Sequence, residues 1–413
     1  MRIAVRRRSP WWPAVLAVGF LAVGLSIGSP PAAAQVPFDD QIVDAQNSGD
    51  DKAVADIDGD GWMDGIIGGS VPGTALVWYR SDGPAHGFTR FVIRANPVYQ
   101  EFSTDMEVAD VDGDGDIDLV LGDGGGGDNV LWFENPRLEP PPGTDPDPTV
   151  GSNWLHHVIG THGQWAHDFS VGDLDRDGKT DVVTSGHGRL HLWFQDSPTV
   201  WTGRDLSGLA GAGAVVADVD DVHGPDLFAG GAWLEAPSDP RTGTWTRRDI
   251  PGSDPGDGPA SLGVDIDRDG LVDLVTVRQH TAGQLAWYEH PLDPVNDPWI
   301  EHAIAASEAS HHLKAADFDG NGFPDLLIGH ELTEIAIYLN DGSSPPTFVK
   351  QSLLSASGHN AVAGDIDGNG TPDVWACDFI GNPPVRVLWN LGPTIFADGF
   401  ESGDTSAWSD AVP

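Results

Sequence analysis

Seven nine-residue segments of this 413-residue chain place acidic residues at alternate positions: 56–64 (DIDGDGWMD), 110–118, 173–181, 218–226, 265–273, 317–325 and 365–373. Positions 1, 3, 5 and 9 are Asp or Asn in most copies, and position 6 is Gly. Oxygen donors on alternate residues, a sharp glycine turn and the backbone carbonyl of position 7 together wrap a hard cation such as Ca2+. Thiolate and imidazole, which favour softer metals, are absent from the six regular copies. The candidate ligands are Asp56, Asp58, Asp60, the Trp62 carbonyl and Asp64 in the first loop, and Asp110, Asp112, Asp114, the Asp116 carbonyl and Asp118 in the second. The third offers Asp173, Asp175, Asp177, the Lys179 carbonyl and Asp181, and the fifth Asp265, Asp267, Asp269, the Leu271 carbonyl and Asp273. The sixth offers Asp317, Asp319, Asn321, the Phe323 carbonyl and Asp325; the seventh offers Asp365, Asp367, Asn369, the Thr371 carbonyl and Asp373.

The fourth copy, Asp218 to Asp226, lacks the position 5 carboxylate and the position 6 glycine, and is expected to be empty or weak. About six calcium sites are therefore expected. An EF-hand would place a bidentate Glu at position 12 and enter a helix. Here position 12 is Ile67 in the first loop and the chain continues into an apolar strand. Asp and Gly also make simple β-turns, but six good copies at regular spacing leave that reading little room.

The loops are 54, 63, 45, 47, 52 and 48 residues apart, the period of propeller blades or of similar arrays such as an open solenoid. The longest gap holds a Pro-rich insertion, Pro136 to Pro148, which reads as a surface loop. Around each loop the same elements recur: a small-residue strand before it, an apolar strand after it, an aromatic strand carrying Trp78, Trp132, Trp193, Trp233, Trp287, Tyr338 or Trp389, and an outer strand. Only six outer strands follow the seven loops; a seventh, Phe38 to Val43, lies ahead of the first. The expected fold is all-β: a seven-bladed β-propeller of four-stranded blades spanning 35–392, closed by an N-terminal strand that removes the open edges.

These loops and their spacing resemble the FG-GAP/VCBS repeat family, which includes the propeller of integrin α subunits. The FG-GAP words themselves are mostly missing, so the match is nearer the bacterial VCBS-like form. The resemblance implies the propeller and its calcium, but not one function, because the family includes adhesion modules, carbohydrate-binding proteins and some sugar-active lyases and dehydratases.

Residues 1–34 read as a secretory signal peptide: Arg2, Arg6, Arg7 and Arg8, an apolar run from Ala14 to Ile27, and Ala32 to Ala34 as cleavage signal. The run is shorter than the ~18–20 apolar residues of a membrane span. Losing four arginines moves the formal charge from −42 to −46. Such a polyanion repels nucleic acid, and six bound Ca2+ would bring it to −34. The 14 tryptophans left after residue 34 argue against disorder. Cys377 is the only cysteine, so no intrachain disulfide holds the loops, and it reads as a buried small residue. A secreted, periplasmic or cell-surface monomer of a bacterium is expected, with an extracellular protein or glycan as partner and no transmembrane segment. The tail 393–413 lacks the blade pattern and resembles a short terminal motif on secreted proteins of Gram-negative bacteria.

The face opposite the loops gathers His and acidic residues. Asp50, Thr104, His167, His311 and His359 stand six residues before their loops, followed by Asp51, Asp105, Asp168, His312 and Asn360. Asp123, Arg278, His330 and Asp378 come five residues past the loop-closing aspartates. His167, Asp168, His311, His312 and His359 are the weak candidates for a catalytic or second metal site. The bland alternative is a solvated polar rim. No G-x-S-x-G, H-E-x-x-H or phosphate-binding glycine loop is present. A noncatalytic binding or adhesion module is the leading expectation, with a lyase or dehydratase as the alternative.

Overall fold

The computed structural model describes residues 35–392 except 46–48, 50, 69–74, 96–104, 124–127, 140, 145, 165, 255–260, 278–282, 309, 311, 331–332, 356–357, 359 and 378–383. The expectations for the signal peptide, the tail, Asp50, Thr104, Arg278, His311, His359 and Asp378 fall outside the described residues.

Alternating apolar patterns between glycine-rich turns leave each segment only the pleated strand as a way to bury its side chains. The result is seven four-stranded antiparallel sheets. Blade 1 comprises Asp51–Ala55, Asp64–Gly68, Leu76–Ser81 and Phe88–Arg94. Blades 2 to 6 run, first strand to last, from Met106–Ala109 to Leu155–Thr161, Asp168–Gly172 to Val200–Asp205, Val215–Ala217 to Thr246–Asp249, Ser261–Val264 to Ile300–Glu308, and His312–Ala316 to Phe348–Leu354. Blade 7 takes Asn360–Gly364, Asp373–Cys377 and Val385–Asn390 from the end of the chain. Its outer strand is the N-terminal Phe38–Asp44, paired antiparallel with Phe38 opposite Asn390. The first strands of successive blades lie side by side in a closed circuit around a central channel.

The closure is fastened by side chains. The Trp389 indole donates to Gln41 Oε1 at 2.8 Å. Gln351 of blade 6 accepts the Val36 N–H at 2.9 Å and donates to the Val36 carbonyl at 2.7 Å.

Because successive side chains of a strand point to opposite faces, each blade feeds two neighbours. Ile66 and Trp78 of blade 1 pack with Leu119, Leu121 and Phe133 of blade 2. Ile67, Val77 and Tyr79 pack on the other side with Trp375 and Trp389 of blade 7. Seven such apolar clusters occur, one at each blade junction. At ~25 cal/mol per Å2 of apolar surface removed from water, these junctions supply most of the drive for folding. Gly65 lies so close to Trp375 that a Cβ would stand 2.3 Å from the ring, so only glycine fits there. Cys377 is buried, as its size suggests.

Candidate metal centres and the channel mouth

Each Asp loop joins the first and second strands of its blade. Position 4 is left-handed in every loop: Gly59 (φ 74°), Gly113 (81°), Arg176 (58°), Asp221 (56°), Arg268 (62°), Gly320 (71°) and Gly368 (71°). Position 6 is also left-handed, with φ from 87° to 96° in the six regular loops, which is why glycine recurs there. The N–H of that glycine donates to the position 1 carboxylate in all six, at 2.8–3.1 Å. In the fourth loop His223 takes position 6 at φ 69°, and the Asp221 N–H caps Asp218 instead.

Position 9 forms the mechanical centre. Asp64, Asp118, Asp181, Asp226, Asp273, Asp325 and Asp373 are 0–1% exposed. One oxygen of each accepts the position 2 N–H of its own loop, at 2.8–3.1 Å. The other accepts a backbone N–H at the end of the third strand, from Ser81, Asn135, Gln195, Ala236, His290, Asn340 or Asn390, at 2.7–2.8 Å. The side chain of that donor residue reaches the previous blade. Asn135 donates to the Ile57 carbonyl (2.9 Å), Gln195 to Val111 (2.7 Å), His290 to Val219 (2.8 Å), Asn340 to Ile266 (3.0 Å), Asn390 to Phe318 (2.9 Å) and Ser81 to Ile366 (3.5 Å). Every position 2 residue except Leu174 thus has both backbone groups satisfied in a dry junction. The exception faces Ala236, which has no donor to offer.

The remaining carboxylates converge. Oxygens of Asp56, Asp58 and Asp64 lie within 4.8 Å of one another, as do those of Asp110, Asp112 and Asp118, of Asp173, Asp175 and Asp181, and of Asp265, Asp267 and Asp269. The fourth loop also keeps a trio, Asp218, Asp220 and Asp226, although Val222 replaces the position 5 ligand. With only protein around it, such a cluster resists ionisation. Burial raises Asp64 and Asp118 to about 8 and Asp181, Asp226, Asp273, Asp325 and Asp373 to about 7, overriding their two N–H partners. Burial followed by neighbouring aspartates raises Asp112 to about 6.

Among the described residues, Asp114 Oδ2, Asp116 Oδ1 and Asp365 Oδ1 are buried without a hydrogen-bond partner. Orphaned buried oxygens inside an all-oxygen donor set fit a hard divalent cation. Asp116 was expected to offer only its carbonyl; its carboxyl group also turns into the second loop, 1% exposed and bonded to the Leu138 N–H at 2.9 Å.

The opposite mouth of the channel differs from the solvated rim that the sequence suggested. Asp105, Asp168 and His312 are only 5%, 4% and 3% exposed. His312 of blade 6 places Nε2 3.3 Å from Asp105 Oδ1 of blade 2. The Lys314 ammonium stands 3.7 Å from Glu107 and 4.0 Å from Asp105, also spanning the channel. Burial raises Asp105, but Lys314 and His312 outweigh it and hold this carboxyl below its usual range. Burial lowers His312 and lifts Glu107 and Asp168 to about 7. Asp168 Oδ2 accepts from Ser185 Oγ at 2.6 Å and from the Gly213 N–H at 3.1 Å. His167, by contrast, packs its ring 4.9 Å from His187 within its own blade. A cavity of about 360 Å3 in the channel is lined by Lys52, Glu107, Lys314 and apolar residues of the first strands.

Among known structures the chain is similar to an Agrocybe aegerita lectin that recognises non-reducing terminal N-acetylglucosamine, at 16% identity over 81% of this chain and 86% of the lectin, TM-score 0.48. It is also similar to BBS1N in complex with ARL6DN, at 10% identity over 86% of this chain and 96% of BBS1N, TM-score 0.51. It spans 14% of a Photorhabdus luminescens Tc holotoxin chain, at 16% identity over 85% of this chain and TM-score 0.40. At these identities the likeness speaks of fold alone. No curated protein matches the chain. The model of the FG-GAP-like repeat matches residues 56–121, 110–184, 265–328 and 317–376, each match running from one Asp loop through the next and ending in the second strand of the following blade. With more than half of the chain covered by those matches and the remaining blades built to the same plan, the chain belongs to the FG-GAP-like repeat family.

Proposed function

We propose that this protein is a secreted, calcium-dependent binding module, noncatalytic, that presents the channel-mouth face to an extracellular protein or glycan. The observation that carries the calcium part is the convergence of three carboxylates within 4.8 Å in successive loops at one end of the ring. Asp56, Asp58, Asp60, Asp64 and the Trp62 carbonyl would hold the ion in the first loop, and the matching residues would do so in the second, fifth, sixth and seventh. A bound Ca2+ would supply charge neutralisation and oxygen coordination, fixing loops that no disulfide holds. Extracellular calcium modules work at ~10⁻⁴–10⁻³ M, which suits exposed loops of this kind. Secretion is supported by the signal-like residues 1–34. Among the described residues no helix is long and apolar enough to cross a membrane.

With the loops committed to the ring, the opposite face is left for recognition. Its half-buried Glu107 and Lys314 offer charge and hydrogen bonds around the channel cavity. A second reading, a sugar lyase or dehydratase, draws on the Asp105–His312 pair, in which the carboxylate could orient a base. Burial weighs against it, since a base must reach its substrate and His312 is 3% exposed. Glycan-array binding of the full chain with and without Glu107→Gln and Lys314→Met tests the proposal. Calcium-dependent binding lost in the variants is expected. Release of unsaturated sugar ends by the wild type, abolished by His312→Ala, would favour the enzyme instead.

A further inference from the structure

The third loop carries the same four position 1, 3, 5 and 9 carboxylates as the first, second and fifth, but its surroundings differ. Arg241 lies in the segment joining the third and fourth strands of blade 4, Ala232–Glu235 and Thr246–Asp249, and reaches back over blade 3. Its guanidinium Nε donates to Asp175 Oδ2, and Nη2 stands 3.7 Å from Asp177 Oδ2. Nη1 donates to Asp196 Oδ1 at 2.7 Å, and the group sits 5.0 Å above the Phe194 ring. The Lys179 ammonium contacts Asp177 as well. Asp175 and Asp177 are positions 3 and 5, the oxygens that a cation would need. Other basic side chains each touch one loop carboxylate: Arg80 with Asp58 at 3.5 Å, His86 with Asp367 at 3.1 Å, and Arg176 with Asp218 at 3.4 Å. Arg241 alone among these engages two carboxylates of one loop.

Its placement is built rather than incidental. Asp239 Oδ1 accepts the Arg241 N–H at 3.0 Å and the Thr242 N–H at 3.2 Å, fixing the turn from which the side chain leaves. The junction it crosses is the one where Ala236 supplies no side-chain link to the previous blade.

We propose that Arg241, not a metal ion, is the counter-cation of the third loop, and that it replaces the missing link between blades 3 and 4. This rests on the calcium reading of the other loops. A planar guanidinium suits the role because it is always charged and donates to several carboxylates at once. The third loop then stays folded when calcium is removed.

An equilibrium calcium titration of the full chain after chelator stripping tests the assignment. Asp112→Asn is expected to bind about one calcium fewer than wild type, whereas Asp175→Asn keeps the wild-type count. Arg241→Gln is expected to gain about one site, since it frees Asp175 and Asp177. An Asp175→Asn protein that loses an ion as Asp112→Asn does, or an Arg241→Gln protein with an unchanged count, would overturn the proposal. Should Arg241→Gln fail to fold, Asp175→Asn decides the question by itself. Asp112→Asn retaining the full count would sink the loop reading itself, a result distinct from either outcome at Arg241.

Discussion

The position 2 residue of each loop illustrates how little of this protein's order comes from its apolar side chains alone. Ile266 is fully buried, yet its N–H goes to Asp273 and its carbonyl to Asn340 of the next blade. Removing that donor in Asn340→Ala leaves a buried carbonyl unpartnered, which costs about 1–3 kcal/mol. Urea unfolding should show the loss, and an unchanged midpoint would mean water takes over the bond. His162 gives a prediction with a pH sign. It is 1% exposed, lies 3.0 Å from Thr184 Oγ1, and burial and then His191 lower its pKa from 6.5 to about 4. Between those values the unfolded chain holds more protons than the folded one, so acid destabilises. The contribution is complete above pH 6.5 and is lost as the pH falls toward 4. His162→Gln should flatten the slope of unfolding free energy against pH in that window; an identical slope would contradict the assignment.

Among the elements, the N-terminal strand decides whether the ring closes. Deleting residues 35–44 leaves Val385–Asn390 as an open edge and strips the partners from Trp389 and Gln351. Association through that edge is expected, with a lower melting temperature, by light scattering and calorimetry; a monomeric variant of wild-type stability would show the strand to be dispensable. This closure was legible in the sequence because strand alternation and loop spacing are local signals, and six outer strands for seven loops demand a seventh. The aromatic strand was less legible. Trp78, Trp132, Trp233 and Trp287 stand three residues before the clamp donor, Trp193 and Tyr338 two, and Trp389 one. A one-residue shift turns a side chain to the other junction, so these residues serve different cores despite their common type. The links between blades join residues 71 to 84 apart, and 285 apart at the closing junction, so no local pattern announces them. An amide residue one to three positions after the strand's aromatic residue, as at Asn135, Gln195, Asn340 and Asn390, was the available clue. Arg241 gave none, since only the folded ring brings it to Asp175.

In the whole molecule, seven junctions are held from two sides, by apolar clusters between the sheets and by carboxylate loops at one end. The loops carry a large share of the formal charge of −42, and their buried aspartates favour either protons or a cation. Calcium binding to the folded ring adds ~2.7 kcal/mol per site at a hundredfold excess over Kd. The direct measurement is calorimetric unfolding of the full chain in millimolar calcium and again in excess chelator. The account predicts a fall in melting temperature of about 10 °C or more on chelation, restored by calcium; superimposable curves would contradict it.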